Sequence, residues 1–124
     1  MARVLVVGGA GRAGELGSSG HVVEEADGVE PERLVTLTPR LEGVSVVCWL
    51  FGESESQGLH GDRLESLLEY LVDTPVRGFV YERSRRHPGG EAIVARAGER
   101  FRIPCAVVSP GDDVAAAVTQ VLEG

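Results

Sequence analysis

The residues with the clearest chemical potential form a glycine-rich turn directly after a β-branched run, Val4–Val7. The turn consists of Gly8, Gly9, Ala10, Gly11, Arg12, Ala13 and Gly14. It matches G-x-G-x-x-G from Gly9, a spacing in which successive glycines make a tight turn, admit a pyrophosphate and let a helix pack on the strand. Because backbone N–H groups at a helix N-terminus bind phosphate, the turn predicts a dinucleotide site. The alternative interpretation is a plain strand-to-helix turn.

Acidic residues follow the turn at about the spacing at which dinucleotide-binding proteins hold the ribose. Glu24, Glu25 and Asp27 occupy this region. An acid there favours NAD because it repels a 2′-phosphate, whereas Arg12 in the turn would attract the extra phosphate of NADP. Both cofactors therefore stay open, as does the interpretation of these acids as solvated residues at a strand end.

The chain contains no lysine, since all 12 basic residues are arginine. This excludes a Schiff-base lysine, a Walker phosphate loop and a Tyr-x-x-x-Lys dyad. No serine or cysteine has a base at a recognisable spacing, so a hydrolase nucleophile is not predicted. Two histidines lie in loops: His60 follows a polar segment in which such folds place a substrate contact, and His87 is a candidate acid or base. Both also fit an ordinary loop histidine.

Short β-branched runs alternate with longer segments of helical periodicity, a pattern typical of α/β proteins with a parallel sheet. The predicted strands are Arg3–Val7, His21–Glu24, Val44–Phe51, Val76–Tyr81 and Cys105–Ser109. We therefore predict a single three-layer Rossmann-like domain over residues 1–124, with about five mostly parallel strands and helices on both faces. Leu50, Phe51 and Gly52, at the end of the third strand, are expected to line the dinucleotide.

Apolar residues at helical spacing predict the helices that cover this sheet. These are about Arg12–Ser19, Pro31–Leu41, Asp62–Val72, a segment through Ile93, Ala97 and Phe101, and a C-terminal segment from Val114. Asp62 with Glu65 resembles a capping box, and Asp112 is the expected cap of the C-terminal helix.

Charge and hydropathy exclude two classes of partner. A net charge of −7 and a pI near 4.9 argue against nucleic acid, which requires a basic face. The longest apolar run, Val46–Phe51, is far shorter than the ~20 residues of a membrane span. The first strand begins too early to follow a signal peptide, so we expect a cytoplasmic protein in which Cys48 and Cys105 are reduced core residues. No ligand set at metal spacing is present.

Four segments resemble the NAD(P)-binding core of the extended and atypical short-chain dehydrogenase/reductases, the group that includes the nucleoside-diphosphate-sugar epimerase and NmrA-like families. They are Val4–Gly14 (VLVVGGAGRAG), Leu41–Val47 (LEGVSVV), Val76–Ser84 (VRGFVYERS) and Ile103–Gly111 (IPCAVVSPG). The resemblance spans nearly the whole chain, and only its first segment is a motif with chemistry. It implies a Rossmann sheet shortened by one strand and one helix, in the order 2-1-3-4-5.

The same resemblance gives weak candidates for catalysis. The dyad of the family would fall near His87 and Glu91, and neither member is present. Tyr81 corresponds to a strand-end tyrosine that is more often packed than catalytic, and Ser84 corresponds to the second serine of a turn whose first serine is replaced by Arg83. The catalytic residues therefore stay unknown, with Tyr81, Ser84 and His87 as candidates.

These observations predict a domain that binds NAD or NADP, or another small molecule, without the usual dyad. If it is an enzyme, the resemblance implies an oxidoreductase or epimerase-like protein. The alternative is a non-enzymatic structural or cofactor-sensing homodimer that binds no nucleotide, with an interface formed by Trp49, Phe51 or the Leu64–Val72 helix. A flavodoxin-like mononucleotide site is disfavoured because the turn lacks the hydroxyl residues of such phosphate loops.

Overall fold

The computed structural model describes residues 3–8, 21–25, 37–51, 60–85 and 87–123. These residues contain a five-stranded sheet in the order β2-β1-β3-β4-β5. Its strands are β1 (Arg3–Gly8), β2 (Val22–Glu25), β3 (Val46–Leu50), β4 (Gly78–Glu82) and β5 (Cys105–Val108). Every neighbouring pair is parallel, which confirms the predicted fold class and strand order.

Three helices are described: α1 (Asp62–Leu71), α2 (Gly89–Phe101) and α3 (Val114–Glu123). The apolar side chains of α1 and α2 join one buried cluster, on the sheet face that carries Leu5, Trp49 and Tyr81. Those of α3 join a second cluster on the opposite face, with Cys48 and Val80. The sheet is thus covered on both faces, and this covering explains why all five residues of β3 are buried.

The helix boundaries agree with the predictions better than the caps do. Gly61 precedes α1 without a side-chain cap, so Asp62 is the first helical residue and the expected capping box does not form. Asp112 accepts a hydrogen bond from the backbone N–H of Ser109, and Asp113 accepts one from that of Ala116 in the first turn of α3. Asp113, the residue before α3, therefore caps the helix, and the predicted cap Asp112 instead bonds within the turn after β5.

Two predicted helices fall wholly or partly outside the described residues. The segment Arg12–Ser19 is one of them. Of the segment Pro31–Leu41, the described end is a 3-10 turn, Thr38–Arg40, flanked by the buried side chains of Leu37 and Leu41. Among the described residues, no helix is both long and apolar enough to cross a bilayer.

Candidate functional site

The strand order reverses direction at β1, because β2 lies on one side of this strand and β3 on the other. In open α/β sheets the crevice at such a switch point, outside the carboxyl ends of the strands, is where ligands bind. Gly8 ends β1 there and is level with Leu50, the last residue of β3. The sequence-predicted turn therefore begins at the edge that the topology marks as a ligand site.

Gly8 cannot be another residue without a local change of structure. Its φ is +79°, and a Cβ there would lie 2.6 Å from Cε1 of Phe51 and 2.8 Å from the carbonyl oxygen of Leu50. Both the left-handed conformation and the close approach of a neighbouring backbone are uses that favour glycine. Eight of the predicted cofactor-binding residues lie outside the described residues: Gly9, Ala10, Gly11, Arg12, Ala13, Gly14, Asp27 and Gly52.

Leu50 and Phe51 sit differently at this edge. The side chain of Leu50 is 2% exposed and belongs to the core beneath α3. The Phe51 ring is half-buried and meets the ring of Trp49 edge to face, with centroids 4.9 Å apart. Trp49 itself is fully buried, so it is a core residue and is not available to a subunit interface.

The two described acids of β2 differ in their contacts. Glu24 is level with Leu5, and its carboxylate lies 3.5 Å from the guanidinium of Arg3, at the start of β1. Both residues line an open cleft of about 420 Å³ beside Arg40. Glu25 is exposed at the carboxyl end of β2, and its backbone carbonyl accepts a hydrogen bond from Arg40. Glu25 is therefore the predicted ribose acid, of these two, whose carboxylate is not paired with Arg3.

A hydrogen-bonded group of His60, Tyr81 and the Phe51 carbonyl connects the ends of β3 and β4. The sequence did not predict that these residues would meet. The Nε2 atom of His60 lies 2.7 Å from the carbonyl oxygen of Phe51, and its Nδ1 atom lies 2.5 Å from the phenol oxygen of Tyr81. A carbonyl only accepts, so Nε2 carries the proton and the Tyr81 hydroxyl donates to Nδ1 of the neutral ring. The hydrogen bonds thus run from Tyr81 through His60 to Phe51.

Burial favours the neutral form of both partners. It lowers the pKa of His60 below its ordinary value of 6.5, and nearby His87 lowers it further, against the opposing effects of the Phe51 carbonyl and of Glu82. Burial, with a smaller contribution from Glu91, raises the pKa of Tyr81 from 10.0 to about 12. At neutral pH the pair is therefore an uncharged hydrogen-bonded unit.

Three further residues pack around this pair. The His87 ring stacks on that of His60 with centroids 5.3 Å apart, and its backbone N–H donates to the carbonyl of the buried Ser84. Gly90, in the first turn of α2, lies against the Tyr81 phenol. Of the three weak catalytic candidates, Tyr81 and His87 thus both contact His60, and Ser84 is linked to His87 through its backbone carbonyl. Tyr81 is fully buried, so its hydroxyl has a structural role here. It connects β4 to α2 through the contact with Gly90, and to Phe51, the residue after β3, through His60.

The Arg83 side chain contacts Ser109, after β5, and Glu91, in α2. Its Nε donates to Oγ of Ser109 over 2.7 Å, and its Nη1 lies 3.7 Å from Oε1 of Glu91. This exposed network links the ends of β4 and β5 to α2. Glu91, near the position expected for the dyad lysine, therefore pairs with an arginine of its own chain.

Comparisons with protein-family models, with curated proteins and with solved structures found no match. Within the described ranges, no three His, Cys, Asp or Glu side chains are grouped as a metal ion requires.

The Tyr81 pKa predicts a loss of stability at alkaline pH. A phenol that ionises near 10.0 when unfolded and near 12 when folded contributes stability in full below pH 10, and this contribution is lost as the pH rises towards 12. The change corresponds to about 2–3 kcal/mol. Cys105, whose thiol pKa burial raises from 9.0 to about 11, acts in the same direction.

Urea unfolding across this pH range, in a Cys105→Ala background, measures the effect. Tyr81→Phe should remove most of the remaining alkaline loss, whereas Tyr70→Phe, at an exposed phenol, should leave it in place. Equal alkaline slopes in all three proteins would show that the Tyr81 phenol does not carry this dependence.

Proposed function

We propose that the protein binds a dinucleotide, NAD or NADP, across the carboxyl edge of its sheet at the switch between β1 and β3. The observation that carries the proposal is Gly8: it lies at the switch point, begins the glycine-rich turn, and has a left-handed conformation with no room for a Cβ. A turn of this kind lets the backbone approach a pyrophosphate. The resemblance to the short-chain dehydrogenase/reductase core supports the same assignment.

In this proposal the Gly8–Gly14 turn holds the pyrophosphate, and Glu25 or Asp27 holds the ribose hydroxyls. Glu24 is the weaker candidate because its carboxylate pairs with Arg3. Leu50–Gly52 lines the site through backbone and ring. A bound cofactor would supply hydride chemistry, while the chain contributes placement.

A specific contact favours a second candidate, a non-enzymatic homodimer that binds no nucleotide. The Phe51 ring lies directly against Gly8, and His60 holds the Phe51 carbonyl. An aromatic ring fixed beside the phosphate turn narrows the space for a ligand. The same glycine would then serve close packing alone.

Calorimetric titration with NAD, NADH, NADP and NADPH tests the proposal. Binding of at least one of them is expected, and Gly11→Val should abolish it while the circular dichroism spectrum is retained. Absence of heat with all four would favour the second candidate.

The two acids of β2 provide a matched comparison within the same titration. Glu25→Ala should weaken binding of NAD by roughly tenfold, since a hydrogen bond to a charged group contributes about 1.5–3 kcal/mol. Glu24→Ala should change it little because that carboxylate faces Arg3. Equal effects of the two substitutions would contradict the assignment of Glu25 to the ribose.

A further inference from the structure

An open groove of about 150 Å³ lies between α1 and α2 and is lined by residues of both helices. One wall carries Glu65 and Glu69 from α1, and the other carries Arg96 and Arg100 from α2. The floor is apolar and includes the partly buried rings and chains of Ile93 and Phe101. The Arg100 guanidinium lies over the Phe101 ring, 5.3 Å from its centroid.

The acidic pair (Glu65 and Glu69) and the basic pair (Arg96 and Arg100) are both exposed to solvent. All four side chains belong to exposed residues, and within the described ranges no ion pair joins the acidic row to the basic one. Each row is also a like-charge pair at i, i+4, an arrangement that costs an isolated helix about 0.2–0.5 kcal/mol. A binding partner with charges of opposite sign would offset the repulsion within both pairs.

The relative position of the acidic and basic pairs indicates which partner could neutralise both. Both helices connect neighbouring parallel strands, so α1 and α2 run in the same direction and place the two rows side by side. A two-fold axis parallel to the groove places α1 of one copy opposite α2 of the other. It causes no shift along the helix axes, so residues at the same height face each other. The acidic row of each copy then faces the basic row of its partner, as in a self-complementary isologous interface.

We propose that this α1–α2 face is the interface of a homodimer, in which Glu65 and Glu69 of one copy pair with Arg96 and Arg100 of the other over an apolar strip. A net charge of −7 makes most encounters between two copies repulsive, and this face offers two arginines at its centre. None of the residues that line this groove belongs to the proposed nucleotide site, so the dimer proposal does not depend on the nucleotide proposal.

Sedimentation equilibrium of charge-reversed chains tests the proposal. Wild-type protein should have twice its 13.1 kDa mass at low salt and dissociate as salt approaches about 1 M, where screening acts over ~3 Å. Glu65→Arg with Glu69→Arg makes both rows basic, and Arg96→Glu with Arg100→Glu makes both acidic. Each variant alone should weaken dimerisation by at least about tenfold, because the symmetry counts every reversed pair twice.

An equimolar mixture of the two variants should again form dimers, because every row of one then faces an opposite row of the other. The control, Glu42→Arg with Glu123→Arg, makes the same change of net charge away from the groove and should remain a dimer. A wild-type monomer at the highest accessible concentration would overturn the proposal, as would dimerisation unchanged by either reversal or a mixture that stays monomeric.

Discussion

Gly90→Ala is expected to lower the free energy of unfolding by about 3 kcal/mol, whereas Gly89→Ala should leave it unchanged or raise it by up to about 0.5 kcal/mol. The two glycines are neighbours in the first turn of α2. A Cβ on Gly90 would overlap the Tyr81 phenol oxygen and lie 2.7 Å from its Cζ atom, whereas a Cβ on Gly89 would meet nothing within 4 Å.

The clash at Gly90 is costly because the Tyr81 ring has no room to withdraw. It is fully buried, it pairs with His60, and the His60 carbonyl lies 3.3 Å from the same Cβ position. Overpacking at such a site shifts backbone or breaks the hydrogen bond. Urea unfolding of the two single variants measures the difference.

Removing the phenol oxygen gives an internal check on this explanation. Gly90→Ala combined with Tyr81→Phe should lose less stability than the sum of the two single changes, because the closest clash is absent from the double variant. Additive losses, or a tolerated Gly90→Ala, would show that α2 does not press on the Tyr81–His60 pair.

Gly8→Ala is expected to cost about 3 kcal/mol of unfolding free energy. Part of this cost is backbone strain at a φ of +79°, and part is the overlap with the Phe51 ring and the Leu50 carbonyl. The overlap is specific to the switch point, because it arises from the close approach of the ends of β1 and β3.

Gly43 separates the two contributions. Its φ is +75°, nearly that of Gly8, while a Cβ there would meet only Nη1 of Arg3, at an ordinary 3.6 Å. Gly43→Ala should therefore report the strain alone, about 1 kcal/mol. Equal losses for the two variants, measured by chemical unfolding, would contradict the close packing at the carboxyl edge.

The sequence predicted the sheet because its local patterns agree with its tertiary environment. The apolar run through Val46–Leu50 is continuous because β3 is central and covered on both faces. The i, i+3, i+4, i+7 leucines of α1 are the residues that the structure buries, Leu64, Leu67, Leu68 and Leu71. In both elements one periodicity decides which side chains face the core.

The polar contacts depend on distances that no local pattern encodes. His60 and Tyr81 are 21 residues apart, and they meet only because β3 and β4 pair in a particular register. The pairing of Arg3 with Glu24 likewise follows from the position of β2 beside β1. A loop histidine and a strand-end tyrosine were separate candidates in the sequence, and only the geometry joins them.

At the carboxyl edge of the sheet, Gly8 allows a close approach of Leu50 and Phe51, and the hydrogen-bonded pair of His60 and Tyr81 holds Phe51 in place. His60 holds the Phe51 carbonyl, and Phe51 in turn packs on Gly8. A ligand bound at the switch point would therefore meet a preorganised surface on the β3 side. In the dinucleotide proposal this surface lowers the conformational freedom lost on binding, whereas in the second candidate the same fixed ring fills the space that a ligand would need.

The central claim is that a dinucleotide binds at this edge, and an amide NMR titration of isotopically labelled protein with NADH and then NADPH tests it most directly. We expect saturable shifts of the Gly8, Leu50 and Phe51 amides with at least one of the two nucleotides. The amides of Arg3 and Gly43, at the opposite end of the sheet, should stay unchanged. A spectrum that neither nucleotide alters, or shifts confined to the Arg3 end, would contradict the claim.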